Sequence, residues 1–168
     1  MMDMKQPFEN IVREHANTVL RVCRVVLGVH DADDAWSETF LAAMRAYPDL
    51  AADANVEAWL VTIAHRKAID IIRSRKRFEN RSNLLPEHVL ATSAPEPVDQ
   101  TLWQAVRALP LKQRQSVAYH YVAGLAYRDV AAILGGSADA ARKAASDGMK
   151  NLRATYVDAR VNGENNDK

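Results

Sequence analysis

The sequence predicts an all-α protein: two small helical domains joined by a flexible linker, the second carrying a helix-turn-helix. Three observations predict it. Apolar residues recur at three- and four-residue steps along most of the 168 residues, with no alternating strand pattern. A stretch with three prolines and many Ser, Thr and Asn interrupts that periodicity near the middle of the chain. A Gly-Gly turn between two short apolar helical patterns closes the second half.

The elements follow in order. Residues 8–27 carry Val12, Ala16, Val19, Leu20, Cys23, Val26 and Leu27 on one stripe, and Gly28 is a stop signal. A second helix is predicted from Asp31 or Asp33, with Trp36, Phe40, Leu41 and Met44 on its apolar side and Pro48 closing it. After a loop at 49–55, Asn55 can cap a third helix bearing Val56, Trp59, Leu60, Ile63, Ala64, Ala68, Ile71 and Ile72. That helix runs into Arg73-Ser74-Arg75-Lys76-Arg77.

Residues 78–100 contain Pro86, Pro95 and Pro97 and read as linker, with a short helical turn near 86–90. In the second half, Val98, Leu102, Ala105, Val106 and Leu109 form one stripe before Pro110. A helix is predicted over 113–122, broken by Gly124, then a short one over 127–134. Ser137 can cap a last helix reaching about Arg160. The boundaries expected are a first domain over 1–80, a linker over 81–100, a second domain over 101–160 and a disordered tail over 161–168. Each half is small, so each core is marginal and would gain from a partner.

The formal net charge of +1 conceals sorted blocks. Residues 1–65 carry −5, 66–81 carry +5, 82–100 carry −3 and 101–168 carry +4. Such sorting suits partners of both signs. With one cysteine, Cys23, no internal disulfide or cysteine-rich zinc site is available. Cys23 reads as a small buried hydrophobe or a redox group. No apolar run reaches membrane-span length and no secretory pattern opens the chain, so a cytoplasmic protein without a membrane partner is expected. Phosphate-loop, dinucleotide, zincin and nucleophile-elbow motifs are absent from the sequence. No catalytic residues, cofactor, metal or small-molecule substrate are therefore expected.

Three constellations remain. Ala131, Gly135 and a following face of Ala141, Ala145, Met149 and Leu152 fit a helix-turn-helix, whose second helix enters the major groove. Arg142, Ser146 and Lys150 share another face, with Lys143 adjacent. An ordinary helical hairpin with solvated charges fits the same residues. The basic block of Arg66, Lys67, Arg73, Arg75, Lys76 and Arg77 can neutralise a phosphate backbone or simply end a solvated helix. Trp59 and Tyr47 could stack an unpaired base or pack as core. Asp31, Asp33 and Asp34 suit a helix N-terminus. Glu38 four residues after Asp34 shares its face, but with no His following at ligand spacing a protein-docking face fits these carboxylates better than a metal pair.

Two runs carry a family resemblance. Asp31-Ala-Asp-Asp-Ala-Trp-Ser-Glu-Thr-Phe-Leu and Ala58-Trp-Leu-Val-Thr-Ile-Ala-His-Arg-Lys-Ala-Ile-Asp-Ile-Ile-Arg resemble region 2 of bacterial sigma factors. Leu109-Pro-Leu-Lys-Gln-Arg and Gly124-Leu-Ala-Tyr-Arg-Asp-Val-Ala-Ala-Ile-Leu-Gly resemble region 4. The short linker is similar to the extracytoplasmic-function type. The resemblance implies a non-catalytic RNA polymerase subunit that directs promoter recognition, melting and transcription initiation. The alternative reading is a stand-alone helix-turn-helix regulator that binds DNA without polymerase.

The resemblance also implies roles. Asp34, Ser37, Glu38, Phe40 and Leu41 would dock on core polymerase. The loop at 47–55 would hold a base flipped from the −10 element. Asn55, Trp59, His65, Arg66, Lys67, Asp70 and Arg73 would meet DNA there. Arg128, Ser137, Ala140, Arg142, Lys143, Ser146 and Lys150 would meet the −35 element. The linker would follow the RNA exit path, and an anti-sigma protein is an implied partner. Two departures from the family stand out. Ser37 occupies a position usually held by Gln. The recognition helix reads Asp139-Ala-Ala-Arg-Lys-Ala-Ala-Ser-Asp-Gly where the family has a Gly-Thr-Val-Lys-Ser-Arg-Leu kind of run. Ala141 and Ala145 require closer helix packing or leave it incomplete, and Gly148 costs about 1 kcal/mol of helix propensity.

Overall fold

The computed structural model describes residues 4–81 and 99–164. Every regular element among the described residues is helical. The chain divides into two compact units, Met1–Pro95 and Glu96–Lys168.

The first unit holds α1 (Phe8–Leu27), α2 (Val29–Ala46), a 3₁₀ turn (Tyr47–Asp49) and α3 (Val56–Arg81). The three helices pack mutually. The core takes branched side chains from α1, Ile11, Val19, Val22 and Val26, and from the other two helices mostly small residues, Ala32, Ala35, Ala43, Ala64 and Ala68, with Phe40, Leu60 and Val61. Mixing small with large side chains lets helix axes approach while the interior stays filled. Thr39 is fully buried, and its hydroxyl donates to the Ala35 carbonyl 2.6 Å away, so that hydroxyl is satisfied.

α2 begins at Val29, earlier than the predicted Asp31 or Asp33. Gly28 explains the difference. At φ 84° it reverses the chain in one residue, and its N–H donates to the Arg24 carbonyl at 2.8 Å. Asp31 then sits in the first turn of α2, where a carboxylate suits the helix dipole. Asn55 caps α3 as expected, its Oδ1 accepting from the Ala58 N–H at 3.0 Å. α3 runs 26 residues, and every residue from Arg73 to its end is exposed.

The second unit holds α4 (Gln100–Ala108), α5 (Leu111–Val117), a π turn (Ala118–Val122), α6 (Tyr127–Leu134) and α7 (Ala138–Glu164). Asp99 caps α4 through the Leu102 N–H at 3.1 Å and accepts from the Tyr156 hydroxyl at 2.8 Å, tying α4 to α7. The Tyr156 hydroxyl, then the Leu102 amide, hold the Asp99 carboxyl below the usual carboxylate range.

Three expectations change here. The helix predicted over 113–122 starts at Leu111 and widens at Ala118, where the Ala123 N–H reaches the Ala118 carbonyl five residues back at 3.0 Å. The extra residue per turn sends Tyr119 into the core, 1 % exposed. α7 continues past Arg160 to Glu164, so the first residues of the predicted tail are helical. Of the predicted linker, Arg81 ends α3, while Asp99 and Gln100 open α4. The turn expected near 86–90 lies outside the described residues, as do 82–98 and 165–168 generally.

Candidate nucleic-acid interface

On α3, Arg66, Asp70, Arg73 and Arg77 recur at i, i+4, i+7 and i+11 and share one exposed face. Lys67 lies off that face. Its ammonium is 3.6 Å from the Glu38 carboxylate of α2. Arg75 likewise pairs with Asp31. Residues assigned to two different partners, Lys67 to DNA and Glu38 to docking, are therefore partners of each other. Both pairs border an open groove of about 850 Å³ between α2 and α3, in which Asp34, Ser37 and Asp70 also take part.

Phe40 is a correction. It is 7 % exposed and packs on Trp36 at 5.1 Å, so it supports the α2 face from inside. Leu41, at 48 % exposed, faces outward with Asp34, Ser37 and Glu38. The reason is phase: at 100° per residue, adjacent positions on a helix cannot both face the same way.

Tyr47, read as a possible stacking surface, is half-buried and sits among several partners. Its ring stands 5.4 Å from Phe8 and 6.3 Å from Trp59, and the Lys5 ammonium lies 4.4 Å from its centroid. Its hydroxyl donates to the Gln6 carbonyl at 2.6 Å. Trp59 is half-buried beside it. Asn55 is exposed but its side-chain oxygen is engaged in the α3 cap. His65 is half-buried, and burial, then the adjacent Arg66 charge, lower its pKa below the ordinary histidine value.

In the second unit, Gly135 and Gly136 take φ of 84° and 92°, the conformation that makes the turn between α6 and α7. Ser137 caps α7, its Oγ accepting from the Ala140 N–H at 3.1 Å. The inward face of α7 is Ala141, Ala145 and Gly148, all buried, whereas Met149 and Leu152 are half-buried. The expected inward row is thus shifted by one position at Gly148.

The outward face of α7 carries Arg142, Lys143, Ser146 and Lys150, all exposed, with Ala140. Arg142 bonds Asp139 at 2.8 Å and Lys143 bonds Asp147 at 2.9 Å. Such exposed pairs are worth a few tenths of a kcal/mol, so a phosphate can replace either carboxylate. Arg142 also lies 5.1 Å over the Tyr127 ring, which stacks on His120 at 3.8 Å. The His120 Nδ1 sits 2.7 Å from the Leu125 carbonyl, which favours the tautomer protonated there. Arg128 is highly exposed at the start of α6, 3.9 Å from Asp129. The periodicity pointed to neither the Tyr127–His120 stack nor Lys5, because both act across turns.

Residues 11–78 match the family model for sigma-70 region 2, and residues 99–152 match that for sigma-70 region 4. The chain is 28 % identical over 157 residues to the ECF RNA polymerase sigma factor SigE of Mycolicibacterium smegmatis, covering 87 % of this chain and 60 % of that protein. It is 30 % identical over 133 residues to SigC of Mycobacterium tuberculosis, covering 76 % and 71 %. It is 28 % identical over 151 residues to the RNA polymerase sigma factor CarQ of Myxococcus xanthus, covering 87 % of each. The chain therefore spans less than two thirds of the SigE relative. Among solved structures it resembles the sigma factor RpoE in complex with the anti-sigma factor NepR from Bartonella quintana, with a TM-score of 0.75, 21 % identity, and 88 % and 95 % of the two chains covered. It also resembles CnrH in complex with the cytosolic domain of CnrY, with a TM-score of 0.64, 22 % identity, and 90 % and 88 % covered.

Proposed function

The chain belongs to the sigma-70 family of RNA polymerase sigma factors, of the extracytoplasmic-function type, and from that premise we propose that it binds core RNA polymerase in the cytoplasm and directs promoter recognition, melting and initiation. One observation carries the proposal: matches to regions 2 and 4 fall in that order on two separate helical units. The subunit itself is non-catalytic. Opening DNA through it needs no hydrolysis, because capturing an unstacked base offsets the few kcal/mol of unpairing.

In this reading the exposed α3 face of Arg66, Asp70 and Arg73, with Asn55, Trp59 and His65 at its upstream end, meets the −10 element. Lys67 joins it when its bond to Glu38 is exchanged for a phosphate. Asp34, Ser37, Glu38 and Leu41 dock on polymerase, backed by Phe40. Arg128, Ser137, Ala140, Arg142, Lys143, Ser146 and Lys150 meet the −35 element. Two modest DNA contacts held together by polymerase act at high effective concentration, so neither needs strong affinity alone. The two structural neighbours were solved with anti-sigma or cytosolic partner domains, which supports a partner of that class here.

Run-off transcription tests the proposal. Purified chain should bind core polymerase and stimulate transcription from promoters mapped by sequencing transcripts that rise on its overexpression. Absence of both core binding and stimulation overturns it. Tight specific DNA binding by the chain alone would favour the stand-alone regulator instead.

A further inference from the structure

The segment before α1 is bound to the turn that follows α2. Lys5 donates to the carbonyls of Tyr47, of Pro48 at 3.3 Å and of Leu50 at 2.5 Å. An ammonium has three donors, and all three are accounted for by these acceptors. These carbonyls belong to the 3₁₀ turn that follows α2 and to the residue after it; the Tyr47 carbonyl also accepts from the Leu50 N–H at 3.1 Å, and a cation suits such a cluster of converging carbonyl oxygens. The same ammonium sits over the Tyr47 ring, and the Tyr47 hydroxyl reaches back to Gln6. Four contacts thus hold a few residues of extended chain against one turn 41 to 45 positions away in sequence.

Between the segment and the turn lies a cavity of about 150 Å³, with Lys5 and Gln6 on one side and Leu50, Ala52 and Val56 on the other. A cavity of about that volume can hold one six-membered ring. Its walls come from two stretches with no covalent connection nearby, so its width depends on what ties them together. Lys5 is that tie.

We propose that Lys5 is a positioning residue that holds the 47–55 turn at one spacing and so sets how sharply the protein discriminates a single base of the −10 element. The inference rests on the reading that this turn receives a −10 base. Lys5 acts through the turn, and the base is recognised by the turn.

The test uses holoenzyme reconstituted with core polymerase and a promoter set in which each −10 position is varied singly. Discrimination is the ratio of open-complex rates for the preferred and changed base, measured on one preparation, so a partly folded sample does not alter it. Ala52→Trp, which fills the cavity, should flatten discrimination at one position by tenfold or more. Lys5→Ala should flatten it three- to tenfold at that same position with core binding unchanged, and Lys5→Arg should restore most of it. If Ala52→Trp acts and Lys5→Ala does not, the role of Lys5 is overturned while the reading of the turn stands. If Lys5→Ala slows all promoters equally, Lys5 is only structural and the proposal is overturned. If neither variant alters any position, the reading of the turn fails and the role of Lys5 falls with it.

Discussion

Gly148 of α7 faces Val117 of α5 so closely that a methyl group on Gly148 would stand 2.8 Å from Val117 Cγ2 and 3.3 Å from Gln113 Cβ. The glycine that weakens the helix by propensity is the residue that lets it seat. With Ala145 fully buried one turn earlier, small residues let α7 lie against α5 where larger ones would hold it away.

Gly148→Ala should therefore destabilise the second unit even though alanine is the better helix former. The clash costs about 1–3 kcal/mol as overpacking, against a gain of about 1 kcal/mol in propensity. Chemical denaturation of the full chain reads the change. Adding Val117→Ala should recover part of the loss, seen as a favourable coupling in a double-mutant cycle. A stabilised Gly148→Ala variant would contradict the packing.

The Lys67–Glu38 pair should matter little to stability and more to binding. Glu38 is 60 % exposed and Lys67 31 %, so the pair is worth under about 1 kcal/mol. Glu38→Gln should leave the melting transition nearly unchanged and weaken core binding. Lys67→Ala should reduce the salt slope of holoenzyme–promoter binding by about 1, one phosphate contact fewer. An unchanged slope would remove Lys67 from the DNA contacts.

His65 should make stability pH-dependent. Its folded pKa lies below the ordinary value because burial, then Arg66, disfavour the imidazolium. The unfolded chain then binds the proton more readily. The contribution is complete above the unfolded pKa, about 6.5, and is lost as pH falls through the folded pKa. Denaturation series across pH 7 to 5 should show the decline, and His65→Asn should flatten it. An NMR titration placing the folded pKa above 6.5 would reverse the sign and refute this.

Cys23 should be inert in the native protein. It is 1 % exposed and burial pushes its thiol pKa up to about 12, so almost no thiolate exists at neutral pH. A thiol reagent should label it only at the rate of unfolding, and rapidly in denaturant. Fast native labelling would revive the redox reading.

The basic run from Arg66 to Arg77 is legible in the sequence as composition, but which of its members share the exposed face with Asp70 emerges only once α3 has its full length. The caps at Asn55 and Ser137 are legible because a cap bonds three residues ahead. The start of α2 is not legible from its acidic residues, because one positive-φ glycine, Gly28, turns the chain ahead of them and leaves Asp31 inside the first turn. The π turn at Ala118 is not legible in the sequence because its widened step leaves the apolar pattern of a helix nearly intact. Motif position puts Phe40 on the docking face, but its phase on α2 turns it inward.

By itself, the sequence determined the helical class, the order of elements, the turn glycines and the family. All of these depend on local periodicity, local conformational cost or ordered motifs. Only the tertiary structure decided which charges pair across helices, as Lys67 does with Glu38, and how Lys5 reaches a turn more than forty residues away. It also decided that Gly148 is a packing residue. Those outcomes depend on distances between separate helices, which no spacing along a single helix encodes.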